Sequence, residues 1–193
     1  MNFLAHIFLS CDDDDLLIGN FIADFIRNNQ VVSYPLSIQK GIHIHRQIDT
    51  FTDSHPIVRQ SVRRLRPFHH KYAPVVIDII FDHLLANNWA RYTGQSLDDF
   101  ARGVYNILNN RMEELPAKLR KRLPGMIQGN WLQAYGSKEG MLFTLKKMDE
   151  RASFPSNFAD ALAHLHLDYE AYNEEFCEFF PEVIEFVNKQ CSC

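Results

Sequence analysis

The chain has 193 residues, 46% hydrophobic and 23% charged, with a formal net charge of -4 at pH 7. That length supports one domain with a sizeable core, and the acidic balance argues against a dedicated nucleic-acid binder, which carries a basic excess. The opening MNFLAHIFLSCDDDD has no basic n-region and too short an apolar run for a signal peptide or a membrane span. The expectation is therefore a cytoplasmic protein with neither membrane nor nucleic acid as partner.

In chain order, Met1 to Leu9 is apolar, with Asn2 and His6 four apart on one helix side. The run Asp12 to Asp15 supplies an N-cap for the next helix. From Leu16 to Asn28 the spacing predicts one helix that carries Asn20, Asp24 and Arg27 as a polar row among Leu17, Phe21, Ile22, Phe25 and Ile26. A loop with Pro35 leads into GIHIHRQIDTFTD, residues 41 to 53. There His45, Asp49 and Thr52 share a helix face, Asp53 lies at its edge, and Ile44, Ile48 and Phe51 make the neighbouring face apolar. Polar rows at the margin of a core are costly unless something pairs with them.

Pro56 opens a helix carrying Arg59, Arg63, Arg64 and Arg66, and the chain turns around Pro67 to Pro74. The following stretch to Tyr92 is apolar all round, which predicts a buried helix holding Asp78, Asp82 and His83. Ser96 to Asp99 has the form of a capping box with Asp in place of Glu. The basic run Lys118 to Arg122 is ended by Pro124 and Gly125, and Trp131, Leu132 and Tyr135 anchor a short segment. A helix is expected from Ser137 to Ala152. Another, started by Pro155 and Ser156, has an aromatic stripe that reads as core, and Pro181 kinks or ends it before a last helix towards Lys189. No stretch alternates with period two, so the fold class is all-α, a single-domain helical bundle over 1–193. Cys11, Cys177, Cys191 and Cys193 lack metal-type spacing and read as reduced thiols.

Several helices thus offer metal-capable or phosphate-capable side chains: His6; Asp24 with Arg27; His45, Arg46, Asp49 and Asp53; Asp78, Asp82 and His83. Mixed imidazole and carboxylate ligands suit Mn²⁺, Mg²⁺ or Fe²⁺ better than a structural zinc, which favours thiolates. Guanidinium groups nearby point to phosphoryl chemistry. A structural hydrogen bond accounts for any single row, such as His45 with Asp49, about as well as a metal does. Asp78 and Asp82 also fit arginine-paired helix-face acids.

The segments MNFLAH at 1–6, GNFIADFIR at 19–27, GIHIHRQIDTFTD at 41–53 and DIIFDHLLANNW at 78–89 resemble the acyl carrier protein phosphodiesterases, an atypical branch of the HD-domain metal-dependent phosphohydrolases. The resemblance runs through the first half of the chain in matching order and spacing. It implies an HD-like helical fold and hydrolysis of the phosphodiester between 4′-phosphopantetheine and a serine of holo acyl carrier protein, with Mn²⁺ as the metal and Mg²⁺ or Fe²⁺ as alternatives. The adjacent His-Asp pair of the HD family is not present as such, since positions 82 and 83 read Asp-His.

On this resemblance Asp24, His45, Asp82 and His83, with His6 as a fifth, form the metal shell. Asp49 or Asp78 orients a ligand or accepts a proton from the attacking water, and Arg27 and Arg46 hold the phosphate. An acidic carrier protein needs a basic face, for which the runs Arg59, Arg63, Arg64, Arg66 and Lys118, Arg120, Lys121, Arg122 are the candidates. A groove beside Trp131 or Trp89 would suit the arm. The alternatives are a phosphohydrolase of the same scaffold acting on a nucleotide or other small phosphate ester, and a non-catalytic helical adaptor for acidic proteins.

Overall fold

Capping and periodicity act locally to set most of the elements. Asn2 caps α1 (Phe3–Phe8), and the Asp13 carboxylate accepts from the N–H groups of Asp15 and Leu16 to start α2 (Asp14–Ile22). The computed structural model describes residues 1–150, 152 and 156–191, and every regular element among them is helical. The expected helix to Asn28 stops short. The chain tightens into a 3₁₀ turn at Ala23–Phe25 and becomes extended at Ile26, so Arg27 leaves the row that Asn20 and Asp24 share.

The central stretch forms α3 (Leu36–Ser54), followed by α4 (Pro56–His69) with Pro67 inside it, and the turn expected between Pro67 and Pro74 falls at His70–Tyr72. Next comes α5 (Ala73–Asn87), in which Val76, Ile77, Ile79, Ile80, Phe81, Leu84 and Leu85 are fully buried. Helices α1, α4, α9 and α11 pack on it.

Ser96 caps α6 (Leu97–Asn110) by accepting from the Asp99 N–H. Pro124 and Gly125 do not end α7, which runs Ala117–Gln128; α8 is Trp131–Ala134 and α9 is Lys138–Asp149. The expected start at Pro155 lies outside the described residues. The last helices are α10 (Ala161–Leu167) and α11 (Tyr169–Cys191), with the break at Asp168 and not at Pro181. A proline costs α11 one intrahelical bond. Burial of Phe179, Phe180 and Val183 on either side of it outweighs that loss. Tyr172 and Phe176 join them in the core, as the stripe predicts.

The contact that positions the site is between α2 and α3. A Cβ on Gly19 would lie 2.2 Å from the Ile38 carbonyl oxygen, and one on Gly41 would lie 2.5 Å from that of Leu16. The two backbones therefore touch where only glycine fits, which brings Asn20 and Asp24 against His45 and Asp49.

The reading of the cysteines is corrected for one pair. The end of α11 returns beside the loop after α1, and Cys11 and Cys191, 180 residues apart, form a disulfide with Cα atoms 6.5 Å apart. Cys177 is free, and Cys193 lies outside the described residues. No helix among the described residues is long and apolar enough to cross a membrane.

Candidate metal centre

His6 from α1 and His45 from α3 stack with ring centroids 3.9 Å apart, both almost fully buried. Asn20 holds the two rings. Its side-chain N–H donates to the His6 carbonyl at 2.7 Å, which orients the amide so that Oδ1 accepts. His6 Nδ1 and His45 Nδ1 each lie 3.1 Å from that oxygen, and His45 Nδ1 also lies 2.9 Å from the Asn20 carbonyl. Because those oxygens can only accept, both Nδ1 atoms are donors and both Nε2 atoms present lone pairs when the rings are neutral.

The Nε2 atoms face carboxylates. His6 Nε2 is 3.1 Å from Asp49 Oδ1; His45 Nε2 is 3.3 Å from Asp49 Oδ2 and 3.2 Å from Asp24 Oδ1. Lone pairs facing lone pairs repel, so the arrangement requires a proton or a cation between them. Protons answer this in part. Burial alone would lower the pKa of His45, but the hydrogen bonds and charges of Asp24 and Asp49 outweigh it and raise it to about 9. Burial lowers His6 to about 4, only partly offset by Asp49. His6 Nε2 is buried and faces the Asp49 carboxylate. Asp49, against burial, is held well below the usual carboxylate range by the two histidines, and Asp24 is lowered mainly by its bond to His45.

Among the described residues, His6, His45 and Asp49 form the one group of three whose ligand atoms all lie within 4.8 Å of one another. The imidazole nitrogens are fixed, the carboxylates reach solvent (side-chain exposure 42% for Asp49 and 66% for Asp24), and both Nε2 lone pairs are aimed at those carboxylates. These residues fit a divalent cation of the Mn²⁺, Mg²⁺ or Fe²⁺ type.

Two expected ligands are elsewhere. Asp82 accepts from the backbone N–H groups of Leu4 (2.8 Å), Asn2 (3.2 Å) and Ala5 (3.3 Å), so both its oxygens hold the start of α1. Burial raises its pKa to about 7 despite those bonds. His83, next on α5, points another way: its Nδ1 is 2.6 Å from the Tyr135 carbonyl, and it lines a cavity with Lys138 and His166. Neither joins the group, because successive helix positions are about 100° apart and the α1 backbone already occupies the Asp82 side.

Asp78, one turn before Asp82, lies 2.9 Å from the Met1 amine, which is 4.0 Å from Asp49. Arg46, half-buried, donates to Asn28 at 2.9 Å, whereas Arg27 is exposed and its backbone N–H is bonded to Gln30. Asp53 lines a cleft with Arg59, Arg63 and Arg66. Asn20 is a site residue beyond those expected from the sequence. Its place four residues before Asp24, in the same polar row, was the available signal.

The expected arginine face divides. Arg59, Arg63 and Arg66 line a cleft of about 320 Å³ together with Asp53 and Asp78. Arg64 turns inward and pairs in a fork with Glu175 at 2.6 and 2.7 Å, while Ser61 and Gln60 also donate to that carboxylate. Arg64→Ala is therefore expected to destabilise the fold by about 3 kcal/mol, the cost of leaving one partner of a desolvated pair alone. Arg63→Glu should leave the melting temperature unchanged; equal thermal melts for the two variants would refute the division. In the second run Arg120 pairs with Glu113 at 2.8 Å and Lys118 lies over the Phe25 ring.

Fold and site together define an all-α protein in which imidazoles and carboxylates from separate helices meet as one ligand-capable group. The chain belongs to the acyl carrier protein phosphodiesterase family, whose family model matches residues 1–183. It is similar to the acyl carrier protein phosphodiesterase of Photorhabdus laumondii subsp. laumondii, 31% identical over 100% of this chain and 98% of that one. Those of Enterobacter sp. (strain 638) and Yersinia pestis are 30% identical over 98% of this chain and 100% of theirs, and 28% identical over 95% and 96%, respectively. No solved structure matches the chain.

Proposed function

We propose that the protein hydrolyses the phosphodiester that joins 4′-phosphopantetheine to a serine of holo acyl carrier protein, giving apo carrier and free 4′-phosphopantetheine. The observation that carries this reading is the convergence of His6, His45 and Asp49 within 4.8 Å of one another in a chain of this family. These three residues would hold Mn²⁺, with Asp24 beside His45 as a further ligand. When bound, the cation would neutralise phosphate oxygens and lower the pKa of water.

The remaining roles belong to the chain. Asn20 fixes both rings so that their Nε2 atoms stay aimed at the reacting group. Asp78, whose pKa is raised by burial, is the carboxylate left to take a proton from the attacking water. Arg46 stands next to His45 on α3 and would supply a guanidinium to a phosphate oxygen, with Arg27 beyond it on the exposed side. The cleft of Arg59, Arg63 and Arg66 meets the site through Asp78 and suits the acidic surface of a carrier protein, and Lys118, Lys121 and Arg122 are the second basic face.

The deciding experiment is mass spectrometry of holo carrier incubated with the purified protein and Mn²⁺. A mass loss equal to phosphopantetheine that chelator abolishes supports the reading, and an unchanged holo mass sinks it. Charge reversal at Arg63 and at Lys121 separately, read as a rise in KM for the carrier, tells which face docks it.

Cation binding should also displace a proton. His45 keeps its proton up to about pH 9 in the metal-free protein, so the stability this proton confers is complete below about pH 6.5 and is lost as pH rises through about 9. Mn²⁺ added at pH 7.5 is expected to release about one proton, measured by calorimetry in buffers of different ionisation heat. Heats independent of the buffer would exclude His45 as a ligand.

A further inference from the structure

A second cavity, different in chemistry from the arginine cleft, is linked to the metal centre through the start of the chain. It is a groove of about 630 Å³ between α7, α8, α9 and the start of the chain, and it shares no lining residue with the cleft. Two links tie it to the centre. Phe3, on its wall, stacks on Phe25, the residue after Asp24, with centroids 6.0 Å apart. Asn2, also on its wall, accepts the His6 N–H through its carbonyl.

The groove is walled mainly by Trp131, Tyr135, Phe143 and Met148, and Phe143 is 50% exposed. Gln128 and Thr144 add hydrogen-bonding groups, and its two charged lining residues, Glu139 and Lys147, have opposite signs. Trp89, in contrast, is buried against Phe8 and Phe100 and lines no such space.

A phosphodiester has two ester arms, and on the reading above they differ. One leads to an acidic protein. The other is an uncharged chain of alkyl and amide groups, which calls for apolar walls with scattered donors and acceptors and no net charge. The cleft matches the first and the groove the second. We propose that this groove binds the pantetheine arm, which runs outward from a phosphate at His6, His45 and Asp49 along Trp131 towards Phe143. The proposal rests on the phosphodiesterase reading.

Gly125 supplies the test. It lies on the groove wall in α7, and a Cβ there meets nothing within 4 Å. Gly125→Leu therefore extends a side chain from an open position on the groove wall and favours the helix. Its kcat/KM for holo carrier is expected to fall at least about tenfold, with the melting temperature kept and with hydrolysis of bis(p-nitrophenyl) phosphate, a diester without the arm, at the wild-type rate. An unchanged kcat/KM for holo carrier in Gly125→Leu overturns the proposal.

Binding is read separately, without metal or turnover, by titrating pantetheine into chelator-treated protein and following tryptophan fluorescence. A saturable change that is lost in Trp131→Phe and weakened in Gly125→Leu supports the groove. No change, or the same affinity in Gly125→Leu, overturns it. Wild-type protein that leaves holo carrier intact would remove the phosphodiesterase reading, and the pantetheine titration would then decide the groove alone.

Discussion

Asp49→Ala is expected to lower turnover of holo carrier by at least about a hundredfold while leaving the far-UV circular dichroism and the thermal melt close to wild type. Its side chain is 42% exposed, and its contacts are the two Nε2 atoms and the distant Met1 amine, so no backbone depends on it. The imidazoles would lose the carboxylate that faces both of them. In metal-free protein the His45 titration, followed by its ring proton resonances, should move to lower pH, because Asp49 is one of the two groups that hold it up near 9.

Asp82→Ala makes the informative contrast. Removing that carboxylate strands three N–H groups at the start of α1, each costing about 1–3 kcal/mol if left buried and unpaired. Its loss should appear first as a lower melting temperature, with activity failing because His6 is no longer carried into place. Near wild-type turnover in Asp49→Ala, or an unaltered melt in Asp82→Ala, would reverse the roles assigned to these two aspartates.

The second large effect is expected at Gly41. Adding one methyl there drives it into the backbone of Leu16, with the Cβ 2.5 Å from the carbonyl oxygen and 2.9 Å from Cα. No rotamer relieves a contact between two backbones, so α2 and α3 must separate. Gly41→Ala is expected to cost about 3 kcal/mol, at the upper end of overpacking, and to reduce activity as well, since the same crossing holds Asn20 and Asp24 against His45 and Asp49. Gly103→Ala is the control. That glycine sits in α6 with open space around its Cβ position, and the change should stabilise by up to about 1 kcal/mol. Chemical denaturation of both variants decides the matter: equal midpoints would mean that the crossing can open at no cost.

What could be read from the chain alone is what depends on near neighbours. Apolar residues every three or four positions defined the helices, Asp13 and Ser96 announced the starts of α2 and α6, and the four-residue spacing of His45 and Asp49 placed them on one face. The ordered blocks carrying His6, Asp24 and His45 resembled one family, to which the chain belongs. What only the tertiary structure decided is which polar groups meet across long separations. Asp82 reaches Leu4 across 78 residues, Arg64 reaches Glu175 across 111, and Cys11 reaches Cys191 across 180. An aspartate inside an apolar helix has the same sequence signature whether it faces a cation or the end of another helix, because that signature records that burial must be compensated and not by what. The partner is chosen by the packing of whole helices, here by two glycines that let α2 and α3 touch, and no local pattern of residues carries that information.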